Sequence, residues 1–230
     1  MKIFAFVVLC FCIVTSASVV PLNNSNFDKV VTKSPVPVFV KFFSPSCPHC
    51  QNIVPTYNGL SKNFSPVALI AEVNCQTDNQ ICGKYQIQGV PSFKLFYGAG
   101  NSRVADYGGA RDGKSMAKFI DKHLPTRFIK TVDEKNVSSI IGSSKPVFIL
   151  DSSKNSYPAV LKSLSLKYRK SALFYTCSTP GCTSSLVSSS KSSTMVAVIN
   201  SKVHEISSEP TTSSISAFVN SLLNKSSDEL

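Results

Sequence analysis

Two closely spaced cysteines lie between an apolar segment and an amphipathic segment, and this junction constrains the fold more than any other feature. Residues 36–44 (VPVFVKFFS) are apolar, β-branched and aromatic over the length of a strand, which indicates a buried strand. After the Cys47-Pro48-His49-Cys50 motif, apolar side chains recur at helical spacing: Ile53, Tyr57, Leu60 and Phe64. We therefore predict a strand that leads into a helix, with the cysteine pair at the helix start and a kink at Pro55.

A cysteine pair this close can bind a metal ion, form a structural disulfide or cycle between dithiol and disulfide as a redox couple. Zinc would require a second pair of ligands nearby. The candidates for that second pair lack the usual spacing: Cys75, Cys82, Cys177, Cys182 and His123. The sequence therefore predicts no bound metal and leaves the structural and redox interpretations open.

Helix and strand patterns divide the chain into two α/β units of about a hundred residues each. The predicted order is β-α-β-α-β-β-α in residues 19–125 and β-α-β-β-β-α in residues 126–226. Asp112 suits a helix N-cap in the first unit, and Asn200-Ser201 suits a hairpin turn in the second. The two halves look like diverged copies of one architecture.

Residues 1–18 have the composition of a secretory signal peptide. Lys2 supplies a positive start, residues 3–14 are apolar, and small residues precede a cleavage site after Ala17 or Ser18. The alternative, a membrane anchor, would need an apolar run long enough to cross about 30 Å of hydrocarbon, and this run is too short. We expect entry into the secretory pathway without membrane insertion.

The last four residues resemble the Lys-Asp-Glu-Leu class of endoplasmic reticulum (ER) retrieval signal, which a receptor reads. They are Ser227, Asp228, Glu229 and Leu230, and the first departs from the commonest form. In combination with the signal peptide they predict the ER lumen as the location and the retrieval receptor as a partner.

The formal charge is +11, yet the lysines are scattered along the chain. Recognition of nucleic acid would require a clustered basic patch, so we expect no nucleic-acid partner.

Eight cysteines are encoded, and Cys10 and Cys12 lie in the predicted signal peptide. The other six allow fifteen pairings but fall into three local pairs. An oxidising compartment favours disulfides within such pairs. One pair, Cys177 and Cys182, encloses Ser-Thr-Pro-Gly, a turn sequence able to bring the sulfurs together. A structural disulfide is favoured there, with regulatory exchange or free thiols as alternatives.

The first half resembles a thioredoxin-fold domain of the protein disulfide isomerase family, over about Val20 to Leu124. Five features match in order and spacing: the strand into Cys47–Cys50, Pro55 in the following helix, Cys75 and Cys82 in VNCQTDNQICGKY, Pro91 in GVPS, and Arg111 in YGGARDGKSMAKFI. The second half has no C-x-x-C and resembles the redox-inactive domains of this family more loosely. The resemblance implies two thioredoxin-like domains in tandem, catalytic over residues 19–125 and redox-inactive over residues 126–226. Each would have a central mixed sheet flanked by helices.

The resemblance implies that Cys47 attacks disulfides and that Cys50 resolves the mixed disulfide. A helix N-terminus stabilises a thiolate, which lowers the pKa of Cys47 below the roughly 8.5 of a free cysteine. Pro48 would begin the helix, where its missing N–H costs nothing. An imidazole at His49 would favour the thiolate and therefore the reduced pair. We expect a reduction potential at or above the isomerase range, about −180 mV, and hence oxidase and isomerase activity over reductase activity.

Other site residues also follow from the resemblance. Pro91, preceded by Val90, would be the family's cis-proline, whose loop offers backbone groups to an extended client segment. Arg111 would assist deprotonation of Cys50. Cys75 and Cys82 would form a structural disulfide without turnover.

Two positions depart from the family pattern. The family usually has a buried carboxylate six residues before the first cysteine, where this chain has Lys41. A buried ammonium is costly unless neutralised or paired, so we expect that Lys41 either reaches solvent or has a pKa low enough to act as a base. The family's usual Trp is replaced by Ser46, which removes an apolar part of the client-binding surface.

These features predict an ER-luminal thiol–disulfide oxidoreductase and isomerase that needs no cofactor. Its partners would be cysteine-containing secretory clients, the retrieval receptor, and a thiol oxidase or glutathione as the reoxidant. The alternative is an ER chaperone or adaptor that holds clients through its second domain and mixed disulfides, with little turnover.

Overall fold

The computed structural model describes residues 18–65, 67–152, 158–187, 193–206 and 211–225 of the 230-residue chain. Residues 1–17 of the predicted signal peptide and the predicted retrieval signal, residues 227–230, lie outside these residues. The described residues form two five-stranded mixed sheets with flanking helices, one in each half of the chain. The predicted α/β class with two tandem thioredoxin-like domains is therefore confirmed. Within the described ranges, every helix is too short or too polar to cross a membrane.

Five strands and five helices form the described part of the first domain. In chain order they are β1 (Val20–Leu22), α1 (Phe27–Lys33), β2 (Val38–Phe43), α2 (Pro48–Asn52), α3 (Val54–Phe64), β3 (Leu69–Asn74), α4 (Asn79–Lys84), β4 (Ser92–Gly98), β5 (Asn101–Tyr107) and α5 (Gly113–His123).

The first sheet has the order β1-β3-β2-β4-β5. Strand β2 lies at its centre, parallel to β3 and antiparallel to β4, and places Lys41 opposite Glu72 of β3. Because the carboxyl ends of parallel strands meet at one edge, the segment after β3 lies beside the start of α2. The cysteine pair and the Cys75 loop therefore share this edge.

Alternation along β2 divides its side chains between two cores. Val38, Val40 and Phe42 pack on the face covered by α1 and α4. Phe39 packs on the opposite face against Tyr57 and Leu60 of α3 and against α5. Lys41 has the same parity as Phe39, so its side chain lies on the α3 face, between the core and the cysteine end of the strand.

Tyr57 fastens α3 to the sheet. Its buried hydroxyl lies 2.8 Å from both the Phe39 and the Ala71 carbonyl oxygens, on strands β2 and β3. A hydroxyl has one proton, so it donates to one carbonyl at a time or shares the proton between the two. This bond holds α3 over the boundary between the two parallel strands.

The second domain repeats the sheet architecture, and its described residues form three helices. Its described elements are β6 (Ile129–Val132), α6 (Val137–Ile140), β7 (Val147–Ser152), α7 (Ala159–Lys167), β8 (Leu173–Cys177), β9 (Ser193–Ile199), β10 (Lys202–Glu205) and α8 (Thr212–Lys225).

The second sheet, β10-β9-β7-β8-β6, has the order of the first sheet when β6 to β10 are matched to β1 to β5. The parallel and antiparallel pairings also match. Cys177 ends β8, and Cys75 directly follows the corresponding strand β3. The two local disulfides therefore occupy the same place in the two copies of the fold.

The two domains contact each other through specific bonds. Ser163 of α7 is fully buried and donates its hydroxyl to the Val67 carbonyl at 2.7 Å. Lys162 forms an ion pair of 2.8 Å with Asp121 of α5. Val67 and Leu124 of the first domain also join the apolar core of the second, which extends that core across the boundary.

Most predicted elements were found, and the exceptions share one cause. The sequence patterns missed β1, α1, β6 and α6, which occupy equivalent places in the two domains. Each is short: three, seven, four and four residues respectively. Elements of this length carry too few periodic positions to stand out from neighbouring loops.

Three local predictions have direct outcomes. The Asp112 side chain caps α5 by accepting the Ser115 N–H at 2.8 Å, as predicted. The hairpin turn at Asn200-Ser201 is confirmed, with both residues at positive φ between β9 and β10. The kink predicted at Pro55 lies two residues earlier, because the helix is interrupted at Ile53 and Pro55 occupies the first turn of α3.

Candidate redox site

The cysteine pair lies where β2 turns into α2. Cys47 has extended backbone dihedral angles and is the N-cap of α2, and Pro48 occupies the first turn of that helix. The Cys47 side chain is half-buried, whereas Cys50, one turn into the helix, is 2% exposed. Both sulfurs are free thiols. One sulfur is therefore accessible to a client and the other is shielded beneath it.

The thiol of Cys47 is the more acidic of the two. Its pKa is lowered, chiefly by the hydrogen bond from the Cys50 side chain and further by the backbone N–H groups of Cys50 and His49. The Cys50 N–H donates to the Cys47 Sγ at 3.3 Å. These contacts supply positive charge density at a helix N-terminus, so Cys47 is the sulfur prepared to attack.

The thiol of Cys50 has the opposite tendency. Burial raises its pKa most, and the hydrogen bond to Cys47 raises it further. A backbone hydrogen bond at Ser44 and the charge of Lys41 lower it. Cys50 therefore keeps its proton while Cys47 is ionised, which separates the two sulfurs into an attacking and a waiting thiol.

His49 lies on the exposed surface of α2. Its backbone N–H contributes to the lowered pKa of Cys47. The predicted contribution of its imidazole to the thiolate stays a prediction.

The loop before β4 faces the cysteine pair. The peptide bond between Val90 and Pro91 is cis, as the family resemblance implied. The Cys47 Sγ lies 3.6 Å from the Val90 carbonyl oxygen, within the range of a weak hydrogen bond from sulfur. A chain segment beside this loop would therefore meet the reactive sulfur and backbone hydrogen-bonding groups together.

The loop also lines a cavity of about 380 Å³. Pro91, Gly89, Tyr107 and Arg111 are among its lining residues. Arg111 is exposed, and its charge contributes the smallest of the effects that lower the pKa of Cys47. Its electrostatic influence in this structure is on Cys47, and the predicted assistance to Cys50 stays a prediction.

Comparisons with known proteins agree with this geometry. Residues 18–122 match the thioredoxin family. Protein disulfide-isomerase 1 of Dictyostelium discoideum is 38% identical over 156 residues, which are 66% of this chain and 41% of that protein. A mitochondrial thioredoxin domain-containing protein of Schizosaccharomyces pombe is 32% identical over 185 residues, 72% of this chain and 50% of that protein. Further relatives from Drosophila melanogaster and Aspergillus niger are also named protein disulfide-isomerases.

The chain belongs to the protein disulfide isomerase family. It spans half or less of the length of the curated relatives that it matches. Among solved structures, the crystal structure of ERdj5 form I has a TM-score of 0.69 and 20% identity over 88% of this chain and 28% of that chain. This last likeness supports the fold of both domains together.

The family's buried carboxylate at position 41 is replaced by a buried ion pair. The Lys41 side chain is 3% exposed, and its Nζ lies 2.7 Å from Oε2 of Glu72, whose side chain is 29% exposed. The Nζ is also 4.9 Å from the centres of the Phe43 and Tyr57 rings. Of the two alternatives expected for Lys41, exposure to solvent was wrong, because the neighbouring strand supplies a carboxylate that pairs with the buried ammonium. Its action as a base stays a prediction. Sequence reasoning missed Glu72, although an acidic residue within the apolar strand ALIAEVN was a signal.

At the family's Trp position, Ser46 belongs to an exposed polar network. Its hydroxyl accepts the Gln76 side-chain N–H at 2.8 Å and lies 2.9 Å from the Ser44 hydroxyl. Gln76 directly follows Cys75 in the loop after β3. The rim of the site is therefore polar on this side and tied to the segment that carries a disulfide.

Both remaining cysteine pairs are bonded in the structure: Cys75 to Cys82 and Cys177 to Cys182. In the second domain, the carboxylate of Asp151 is buried beside the disulfide and accepts hydrogen bonds from the backbone N–H groups of Gly181 and Thr183. Asp151 and the two sulfurs are close enough together to suggest metal ligands. However, the sulfurs are bonded to each other and are not free thiolates.

Proposed function

We propose that this protein is a thiol–disulfide oxidoreductase and isomerase that forms and rearranges disulfides in secretory client proteins. The observation that carries the proposal is the pair of free thiols with opposite pKa shifts, Cys47 lowered and Cys50 raised, beside the Val90 carbonyl. A purely structural disulfide would need neither a pair of free thiols nor this division between an accessible and a buried sulfur.

The proposed cycle uses thiol–disulfide exchange alone. The Cys47 thiolate attacks one sulfur of a client disulfide, forms a mixed disulfide and releases the other client sulfur as a thiolate. Cys50 then loses its proton and attacks the Cys47 sulfur, which forms the Cys47–Cys50 disulfide and releases the second client thiolate. The reverse sequence oxidises a client dithiol. In isomerisation, the released client thiolate attacks another client disulfide, and the client thiolate that this produces attacks the mixed disulfide and releases Cys47 as a thiolate.

The client segment would lie beside the Val90–Pro91 loop as an added strand. The carbonyl of Val90 faces Cys47, and the cavity lined by Pro91 offers room for a neighbouring side chain. Ser46 and Pro48 are exposed next to the sulfur and would complete the contact surface. The polar Ser46 favours a narrower range of clients than an apolar ring would.

We also propose the ER lumen as the working location. The support is the signal-like residues 1–18, the retrieval-like residues 227–230 and the relatives named protein disulfide-isomerase. One relative is named as mitochondrial, so location needs its own test. The expected partners are client cysteines, the retrieval receptor, and a thiol oxidase or glutathione as the reoxidant. Immunofluorescence with and without residues 227–230 would test retention, and secretion of both forms alike would contradict it.

The test of activity is refolding of scrambled ribonuclease. Wild type should recover ribonuclease activity, Cys47→Ser should not, and Cys50→Ala should accumulate mixed disulfides with the substrate through Cys47. Equal recovery by wild type and Cys47→Ser would reject the enzymatic proposal. The matched control is Cys75→Ala/Cys82→Ala, which removes two sulfurs assigned a structural role and should keep exchange activity at temperatures where it stays folded.

A second candidate function, binding of unfolded clients, is favoured by a groove between the two domains. The groove has a volume of about 1040 Å³, and its apolar lining comes from both domains, with Val36 and Leu69 on one side and Leu164 and Ala217 on the other. Three exposed lysines border it: Lys29, Lys33 and Lys167. Apolar walls with a cationic border fit an extended client segment that carries apolar side chains and carboxylates.

The groove can be tested with reduced, carboxymethylated α-lactalbumin, an acidic unfolded protein without free thiols. Reversal of the three border charges (Lys29→Glu/Lys33→Glu/Lys167→Glu) should weaken binding about tenfold at low salt, because rim charges act mainly through screened electrostatics. The matched control, Lys114→Glu on α5, should bind like wild type. Equal binding by all three proteins would reject the groove as a client site.

A further inference from the structure

A cavity of about 340 Å³ lies where the two domains meet. Its walls come from the β4–β5 hairpin and the end of α5 in the first domain, from the linker after α5, and from the end of α7 in the second domain. Four of the lining residues are cationic: Arg103, Lys122, Arg127 and Arg169. The chain contains four arginines, and three of them line this space, which we call the arginine cavity.

Within the part of the chain that the structure describes, none of these four cations forms an ion pair with a carboxylate. The lining residues include no Asp or Glu, and the described ion pairs involve other lysines. Asp121 precedes Lys122 in α5, but its carboxylate is paired with Lys162 at 2.8 Å. Like charges around a small space repel each other, and a bound anion would relieve that repulsion.

Two of the guanidinium groups are held in place by aromatic rings. Arg103 lies over the Tyr97 ring, 4.7 Å from its centre, and Arg127 lies over the Phe128 ring at 4.6 Å. A cation–π contact of this kind leaves the N–H groups of the guanidinium available to an oxyanion. Both groups therefore combine a fixed position with donors for a ligand.

The third guanidinium joins the two domains. Arg169 donates to the Leu166 carbonyl at 2.9 Å and to the Ala99 carbonyl of the first domain at 3.2 Å. A guanidinium has five N–H groups, so these two bonds leave three for other acceptors. Donors that are already positioned lose less conformational freedom when a ligand binds, which favours affinity.

Complementation of helix ends explains only part of this cluster. Lys122 lies in the last turn of α5, and Arg169 follows the end of α7, where cations favour the partial negative charge of a helix C-terminus. That partial charge is about half a unit for each helix. Arg103 lies in β5 and Arg127 in the linker, so neither belongs to a helix. The four full charges exceed the two partial ones, and the cavity is positive on balance.

The size and chemistry of the arginine cavity favour a compact phosphorylated ligand. Cavities for small molecules have volumes of about 300–1,000 Å³, and this one lies at the lower end of that range. A carboxylate has two oxygens, which a single guanidinium can satisfy in a bidentate contact. Adjacent phosphates carry more oxygens and more charge, so several guanidiniums can bind them together. We propose that the arginine cavity binds a small molecule with at least two adjacent phosphate groups, and that this ligand bridges the two domains.

This site is separate from the cysteine pair. Pro91 precedes β4 at the redox end of the first sheet, whereas Tyr97 lies near the other end of β4, about 20 Å along the strand. The inference therefore does not rest on the proposed exchange activity, and either can fail without the other.

The test is isothermal titration calorimetry of the whole chain with inorganic pyrophosphate at about 0.1 M salt, where charges more than about 10 Å apart are largely screened. Wild type should bind one pyrophosphate per chain. Arg103→Gln/Arg127→Gln should weaken binding at least about tenfold, because each lost guanidinium removes charge-assisted hydrogen bonds. Both side chains are exposed and Arg169 stays in place, so the fold and the contact between the domains should be retained, which circular dichroism would check.

The matched control is Lys114→Gln/Lys202→Gln, which removes the same charge from exposed residues outside the arginine cavity, one in each domain. It should bind pyrophosphate like wild type. Absence of binding by wild type at millimolar pyrophosphate would overturn the proposal. Equal affinity of the two double variants would overturn it as well.

Competition experiments identify the kind of ligand. ADP that binds at least as tightly as pyrophosphate would identify a nucleotide, and weaker binding of ADP would identify a diphosphate without a base; both results agree with the proposal. Tighter binding of citrate, a tricarboxylate, would overturn the choice of phosphate. Tighter binding of a single-stranded oligonucleotide would overturn the choice of a small ligand and indicate a nucleic-acid surface.

Discussion

The Lys41–Glu72 pair predicts that a single variant is less stable than the double variant that contains it. In Glu72→Gln, an ammonium that is 3% exposed loses its carboxylate. Breaking a fully buried pair in this way costs about 3–5 kcal/mol, whereas exposed pairs contribute about 0–1 kcal/mol. Because the Glu72 side chain is 29% exposed, the reasoned value lies between these ranges. We expect Glu72→Gln to lower the free energy of unfolding of the first domain by about 2 kcal/mol.

The double variant Lys41→Met/Glu72→Gln should recover most of that loss. Methionine has a similar length and can pack against the Phe43 and Tyr57 rings, and no charge remains buried. Replacing a buried pair by apolar side chains of similar volume is often neutral or stabilising. We therefore expect the free energy of unfolding of the double variant to lie within about 1 kcal/mol of the wild-type value.

The assay must report on the first domain alone, and the chain contains no tryptophan to serve as a probe. Cys50 serves instead, because its thiol is 2% exposed in the native state and becomes reactive on unfolding. Brief alkylation at increasing urea concentration in a Cys47→Ser background, quantified at Cys50, gives the transition of this domain. A Glu72→Gln variant as stable as wild type would refute the reasoning. So would a double variant less stable than Glu72→Gln.

Three further predictions follow from the same structure. Because the pKa of Cys47 is lower in the native protein than in the unfolded chain, its thiolate should persist to lower pH when the protein is folded. The pH profile of Cys47 alkylation by iodoacetamide, measured in buffer and in urea, should show this difference, and coincident profiles would contradict it. Tyr57→Phe should lower the free energy of unfolding by about 1 kcal/mol, the contribution of one buried hydrogen bond, in the same Cys50 alkylation assay. A change near zero would mean that the hydrogen bond to the strand carbonyls does not stabilise the domain. Cys75→Ala/Cys82→Ala should lower the free energy of unfolding by about 2 kcal/mol, because the disulfide closes a loop with a sequence separation of 7. An unfolding midpoint equal to that of wild type under oxidising conditions would contradict this.

Residues close in the chain made much of the site predictable. A strand, a cysteine at a helix start and a proline in its first turn interact within a few positions, so VKFFSPSCPHC carries the information for β2, the cap at Cys47 and the start of α2. The same holds for the Asp112 cap and for the Asn200 turn. The short elements β1, α1, β6 and α6 were not predicted, because their stability comes from packing against distant strands rather than from a sequence pattern of their own.

The sequence by itself therefore determined the local unit: which cysteine is exposed at the helix start, which is one turn deeper, and which segments repeat as a second domain. The tertiary structure decided how distant residues meet. It placed the Val90 carbonyl beside Cys47, and it placed Glu72 beside Lys41, so that the unexpected buried lysine is paired with a carboxylate. Strands β2 and β3 are parallel and joined through two helices, so their register depends on the packing of the whole sheet and cannot be read from either strand alone.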